Sequence, residues 1–207
     1  MSAFDADFWE ERYRSQPAGW SGRPNPQLVA EAVDLTPGAA LDVGSGEGAD
    51  ALWLAERGWR VTAVDFATTA LQRGAGHAAA LGAEVAARLT WVHADLTTWG
   101  PGAGLFDLVT AQFMHLPPVP RTALYARLAD GVAQGGTLLV VGHDPSDLHG
   151  TAHRPDPEMF FTAEEVAAPL HSDRWDVLIT DSRPRRALGP DGETMTVRDV
   201  VLRARRR

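Results

Sequence analysis

The sequence contains no cysteine. That removes disulfides, thiolate nucleophiles and cysteine-based metal sites, and it suits a reducing compartment, so a cytoplasmic protein is expected. Lysine is missing as well: all 19 Lys+Arg positions are arginine. Schiff-base and lysine-base chemistry are therefore excluded. Asn25 and Ile179 are the single asparagine and isoleucine, so the missing lysines point to codon bias rather than to chemistry. No stretch approaches the ~20 apolar residues of a membrane span. The first residues carry Asp5 and Asp7 where a secretion signal needs positive charge. Positive charge is scarce throughout, and a net charge of -8 argues against a broad nucleic-acid footprint. Neither nucleic acid nor membrane is expected as a partner. A length of 207 residues makes one domain with a sizeable core the default.

What is present is organised around residues 39–48. Ala39-Ala-Leu-Asp-Val43 reads as a buried strand that runs into the turn Gly44-Ser-Gly-Glu-Gly48. Residues 49–57 follow with helical spacing, and Gly58 is the stop. Glycines in such a turn permit positive φ and let a ligand lie against the backbone. The helix behind it presents unpaired N–H groups at its N-terminus. Two fingerprints fit. Gly44-x-Gly46-x-x-Ala49 matches the dinucleotide form, whose last position may be alanine. Asp42-x-Gly44-x-Gly46-x-Gly48 resembles the form found in class I methyltransferases that use S-adenosylmethionine.

Along the rest of the chain, residues 4–16 suggest a short helix with Phe4, Phe8, Trp9 and Tyr13 at helical spacing, ended by Pro17. Residues 19–26 are a loop in which Trp20 serves either as a lid over a ligand or as a plug at the core edge. A second helix runs from Pro26 to about Val33. Residues 59–65 form a second strand ending in Asp65, where a carboxylate about 20 residues past the glycine turn accepts from ribose hydroxyls or, alternatively, caps the next helix (Ala67 to about Leu81). Residues 88–93 form a third strand leading to Asp95, and residues 105–112 a fourth leading to Gln112, Phe113 and His115. A helix from about Arg121 to Val132 reaches the turn Gln134-Gly-Gly136, then a fifth strand runs over 137–144. Five alternating β/α units make an α/β fold, a single doubly wound, Rossmann-like sheet. After the polar loop 145–160, Thr162-Ala-Glu-Glu165 looks like a capping box shifted by one, opening a helix to about Leu170. Strands at 175–181 and 196–204, joined by residues 184–192, are too close for a crossover helix and should pair antiparallel. The arginine tail 205–207 reads as a solvated end.

The whole pattern resembles a class I S-adenosylmethionine-dependent methyltransferase, similar to the small bacterial tellurite-resistance and thiopurine methyltransferase-like group. The Phe8-Trp9-Glu-Glu-Arg12-Tyr13 and Trp20-Ser-Gly-x-Pro24-Asn25 segments resemble that group's cofactor-covering part. Leu41 to Gly48 resembles its first motif, and Val64-Asp65-Phe66, Ala94-Asp95-Leu96, residues 106–109 and residues 135–138 resemble its later motifs in order. The resemblance implies a seven-stranded, mostly parallel sheet with an antiparallel C-terminal strand. It also implies a single methyltransferase domain over 1–207: covering helices and loop in 1–36, a cofactor-binding core in 37–144, and an acceptor-side loop, helix and hairpin in 145–207. Gly44, Ser45 and Gly46 would pass the methionine and ribose, and Asp42 would reach the amino end or hold the turn. Asp65 would take the ribose hydroxyls, with Phe66 against the adenine. Asp95 would accept from the adenine amino group, and Leu96 would offer its N–H. Gln112 and Phe113 would meet the cofactor, Trp20 would cover its methionine end, and Arg23 would pair with its carboxylate.

Methyl transfer by in-line displacement needs mainly alignment and desolvation. Of the 7 histidines, His143 and His115 follow strands at the crevice, where either one deprotonates or orients an acceptor or else holds a loop. His143, Asp144, His149 and His153 are zinc-type residues, but they lie in a proline-rich loop without helical phase, and no metal is expected. The acceptor is expected to be a small molecule, with S-adenosylhomocysteine as the other product and a monomer or homodimer as the assembly. Two readings stay open beside methyl transfer: an NAD(P)-dependent oxidoreductase and a non-catalytic S-adenosylmethionine binder.

Overall fold

The computed structural model describes residues 6–15, 22–114, 116–147, 157–188 and 193–207. Helices α1 (Ala6–Ser15) and α2 (Pro26–Ala32) precede strand β1 (Ala39–Val43). Then follow α3 (Ala49–Glu56), β2 (Arg60–Asp65), α4 (Thr68–Leu81), a short α5 (Ala83–Ala86) and β3 (Leu89–His93). The chain continues through β4 (Phe106–Gln112), α6 (Pro118–Gly131), β5 (Val132–His143), α7 (Ala163–Ala167), β6 (Trp175–Leu188) and β7 (Thr194–Arg206). All seven strands join one sheet in the order β3-β2-β1-β4-β5-β7-β6. The pairs among β1 to β5 are parallel, and β7 enters antiparallel between β5 and β6. The strand order reverses between β1 and β4. In an open α/β sheet that reversal opens a crevice at the carboxyl ends of the strands.

Burial on both faces explains the continuous apolar runs of the central strands. Leu41, Val43, Val109 and Leu138 face one core with Leu124 and Leu128 of α6. Ala40, Ala63, Leu108 and Leu139 face the other with Leu28 of α2 and Leu54 of α3. Local signals start the helices. The Asn25 carboxamide oxygen accepts the Gln27 N–H at 2.8 Å, and Pro26 takes the first helical position of α2, where its missing N–H is harmless.

Several elements differ from the sequence expectation. Thr162 and Glu165 form an unshifted capping box, with Glu165 N to Thr162 Oγ1 at 3.2 Å and Thr162 N to Glu165 Oε2 at 3.1 Å, and α7 ends at Ala167 rather than near Leu170. The glycine pair near 135 is a bulge inside β5 rather than a turn before it: Gly135 has φ +78, and the register against β4 shifts between Phe106 and Leu108. The passage from β3 to β4 carries no helix among the described residues, so the β/α alternation is interrupted there. The C-terminal hairpin is also longer than expected. Pro184 sits within β6 opposite Arg198, which an edge strand tolerates because its outer N–H row has no partner.

Candidate cofactor and active site

The glycine turn leaves β1 at the crevice. Gly44 and Gly46 adopt φ +71 and +54, a region that costs other residues about 1–2 kcal/mol. The space above them is as restrictive as their backbone. A Cβ on Gly44 would collide with the Met114 sulfur, and one on Gly46 would stand 2.7 Å from the Tyr13 hydroxyl. The turn is held from β2: the Asp65 carboxylate accepts the Gly46 N–H and the Ala67 N–H, both at 2.8 Å. The capping role weighed for Asp65 is thus built into the fold. Each of its oxygens keeps a second lone pair, and Asp65 also lines the cavity above the turn.

Two adjoining cavities lie over this floor, and Trp9 and Tyr13 of α1 wall both. One, of about 220 Å³, is bounded by Gly44, Asp65, Phe66, Gln112, Phe113, Met114 and Leu116. The other, of about 320 Å³, runs along the glycine turn to Glu47, Asp50 and Arg12. The first is aromatic and apolar around one carboxylate. The second is charged, with acids and an arginine facing one space.

The acids are under electrostatic stress. Burial raises Asp42 well above the ordinary carboxylate range, and the charges of Asp50 and Asp65 add to it. Burial pushes Asp50 up to about 6, against the relief of its hydrogen bond from the Asn25 N–H. Asp65 is raised by burial too, and the Ala67 and Gly46 N–H groups draw it back. The Asp42 Oδ2 and Ser45 Oγ find no hydrogen-bond partner among the described residues. Asn25 ties this corner together. Its N–H reaches Asp50 Oδ1 at 2.6 Å, and its amide nitrogen reaches Gln112 Oε1 at 3.1 Å. The single asparagine therefore links α2, α3 and β4 at the rim of the site.

On the β4–β5 side, Phe113 takes φ +53, an uncommon conformation for a bulky residue and a feature that concentrates at functional sites. Its ring stacks on His143 at 4.5 Å between centroids, and the Arg185 guanidinium lies 5.5 Å from the Phe113 ring centre. Burial, with the Arg185 charge behind it, pushes His143 down to about 4, so its imidazole is neutral at physiological pH.

Of the residues singled out from sequence, Gly44, Ser45, Gly46, Asp65, Phe66, Gln112 and Phe113 line these cavities. Asp42 lies buried beneath the turn, and His143 stands behind the Phe113 ring. Asp95 is exposed, with Oδ1 accepting from the Thr97 N–H and hydroxyl at 2.9 and 2.6 Å, while Leu96 is buried in the core. Arg23 is exposed and lines neither cavity. Trp20, His115, His149 and His153 fall outside the described residues. Trp9, Arg12 and Tyr13, which the sequence placed in the covering segment without individual roles, line the cavities as well, and Asp50 and Met114 are lining residues that sequence reasoning passed over. The signal for Trp9 and Tyr13 was their i, i+4 spacing, which puts both on one face of α1. Asp50 sits in the first turn after a glycine loop, a place that already hinted at a ligand.

A methyltransferase domain model matches residues 40–136, which span β1 to the start of β5. The 2-heptyl-1-hydroxyquinolin-4(1H)-one methyltransferase of Mycobacteroides abscessus is 30% identical over 182 residues, covering 78% of this chain and 79% of that protein. Among solved structures, one described as "Conversion of a Disulfide Bond into a Thioacetal Group during Echinomycin Biosynthesis" superposes with a TM-score of 0.75 at 24% identity, covering 99% of this chain and 90% of that one. A SAM-dependent methyltransferase from Anabaena variabilis superposes with a TM-score of 0.70 at 18% identity, covering 98% and 95%. The dinucleotide reading of Gly44-x-Gly46-x-x-Ala49 gives way to these matches. With its glycine turn, its 3-2-1-4-5-7-6 sheet and this relative, the chain belongs to the class I S-adenosylmethionine-dependent methyltransferases.

Proposed function

We propose that this enzyme transfers the methyl group of S-adenosylmethionine to a small, largely apolar acceptor bound beside Phe113 and Met114. The carrying observation is the pair of adjoining cavities, charged on one side and aromatic on the other, above a glycine floor. The residues fit the cofactor's chemistry. A zwitterionic amino-acid end needs both signs of charge, which Asp50 and Arg12 offer in one space; Arg23 is the alternative partner for the carboxylate. The Ser45 hydroxyl and Asp42 oxygen, without a partner among the described residues, suit a polar ligand or its water. Asp65 takes the ribose hydroxyls, Phe66 packs on the adenine, and Asp95 with Leu96 reads the adenine edge. Gln112 and the Gly44–Gly46 backbone border the methionine, and Trp20 covers it. When bound, the cofactor supplies a methyl group on a sulfonium that is displaced in line.

The protein's part is alignment and exclusion of water, supported by the Trp9 and Tyr13 walls and the Phe113–Met114 side. His143 and His115 serve the acceptor. The low proton affinity of His143 favours orienting the acceptor over removing its proton. The name of the Mycobacteroides relative, a methyltransferase of a heptyl-hydroxyquinolinone, supports a small-molecule acceptor. In this reading residues 1–207 form one methyltransferase domain, with residues 1–36 over the cofactor and 145–207 on the acceptor side. It works in the cytoplasm on neither nucleic acid nor membrane, and no helix of the described residues is long and apolar enough to cross one.

Calorimetric titration with S-adenosylmethionine, S-adenosylhomocysteine and NAD in parallel tests the reading. Both adenosyl compounds should bind, and Asp65→Ala should abolish the binding. Heat from NAD alone would overturn it.

A further inference from the structure

Helix α1 walls both cavities, so whatever fixes α1 sets the width of the site. We propose that Glu10 is a positioning residue that holds α1 over the cofactor cavities by capping the N-terminus of α4. The inference rests on the cofactor reading of those cavities.

The geometry begins with a deficit. The residue at the cap position of α4 is Ala67, which has no side-chain oxygen to satisfy the first unpaired N–H groups of the helix. Glu10 supplies one from another helix. Its Oε2 accepts the Thr69 N–H at 3.1 Å, and its Oε1 accepts the Thr69 hydroxyl at 2.5 Å. A carboxylate there also meets the positive end of the α4 dipole. The Thr69 hydroxyl, followed by burial in the opposite sense and by the Thr69 N–H, holds the Glu10 carboxyl below the ordinary range, so it is ionised at neutral pH. Arg14 lies 3.2 Å from Oε1, but its side chain is 63% exposed, and a surface pair of that kind contributes little. The Glu10 side chain itself is 23% exposed.

The consequence lies in what α4 anchors. Asp65, just before α4, holds the Gly46 N–H and so the floor of the site. Glu10 of α1, bound to Thr69 on the first turn of α4, holds the roof. Tyr13, one turn past Glu10, brings its hydroxyl against Gly46. Floor and roof are thus registered on one helix terminus, and the gap between them is the cofactor space. With Glu10 removed, the closed arrangement is populated less, and the apparent affinity falls by the same factor.

The test uses the full chain with Glu10→Ala, Glu10→Gln and Thr69→Val. S-adenosylhomocysteine affinity is measured by calorimetry, and amide exchange of α1 and of the sheet is followed with and without that ligand. Loss of a charge-assisted pair of hydrogen bonds should weaken binding about tenfold in Glu10→Ala. The α1 amides should exchange faster while sheet protection holds. Glu10→Gln, which keeps one acceptor, should recover part of the affinity, and Thr69→Val should fall between it and wild type. Affinity within twofold of wild type in Glu10→Ala overturns the proposal, as does weaker binding with unchanged α1 exchange, or a loss of protection spread evenly over the sheet. A wild-type protein that does not bind S-adenosylhomocysteine sinks the cofactor reading and this inference together. Wild-type binding with an indifferent Glu10→Ala sinks the Glu10 role alone.

Discussion

Asp50→Asn should stabilise the protein while weakening its hold on S-adenosylmethionine. Asp50 is pushed up to about 6 from 3.8 because burial disfavours its charge. A carboxyl whose folded pKa is raised favours folding only while it is protonated. Its full benefit holds below the unfolded value of 3.8 and is lost as pH rises through about 6. At pH 7 the fold therefore carries a half-buried carboxylate at a cost of about 3 kcal/mol, and at pH 4.5 of about 1 kcal/mol. The replacement amide keeps the oxygen that accepts the Asn25 N–H and removes the charge beside Asp42. The expected gain is thus about 3 kcal/mol at pH 7, or about 6–12 °C in melting temperature for a chain of this size, shrinking to about 1 kcal/mol at pH 4.5. Thermal unfolding of both proteins at the two pH values reads it, and calorimetry at pH 7 should show weaker cofactor binding. A lower melting temperature for the variant at pH 7, or a gain equal at both pH values, would refute the reasoning. So would a variant that binds the cofactor as tightly as wild type.

Two more outcomes follow from other parts of the molecule. Glu31, only 8% exposed, faces the Arg183 guanidinium at 2.6 Å and that of Arg203 at 3.2 Å, clamping α2 to the hairpin. Glu31→Gln should cost about 3 kcal/mol, the low end for a broken buried pair because both arginines stay partly hydrated, and urea unfolding with a loss under 1 kcal/mol would contradict it. His143, neutral in the fold down to about 4, should make the protein less stable as pH falls from about 6.5 to 4, because the unfolded chain takes the proton first. His143→Gln should flatten that slope by about 3 kcal/mol over the window, and denaturant titrations with parallel slopes for both proteins would show that burial of the imidazole is not its cause.

Much of this was legible in order along the chain. The glycine turn announced itself because positive φ and close approach demand residues without Cβ, and no other composition serves. The strands announced themselves because sheets covered on both faces need unbroken apolar runs. Asp65 was legible as a position, though not as one carboxylate serving Gly46, Ala67 and a cavity together. The bulge at Gly135 and the full length of the hairpin were not legible, since both depend on which strand lies alongside. The Phe113 backbone at φ +53 gave no sign either, because nothing in a phenylalanine codes for that conformation.

The sequence by itself determined the α/β fold class and the floor of the site and narrowed the cofactor to two nucleotide-like classes, because those rest on local requirements: glycine at the turn, an acid after β2, apolar periods in the strands. Only the tertiary structure decided which side chains meet. It put Tyr13 on Gly46, Glu10 on Thr69 and Asp50 on Asn25, pairs 59 residues apart in one case and 25 in another. Those contacts arise from the packing of α1 on α4 and of α2 and α3 into one core. Such packing is set by the summed fit of whole faces, and no single stretch of chain carries it.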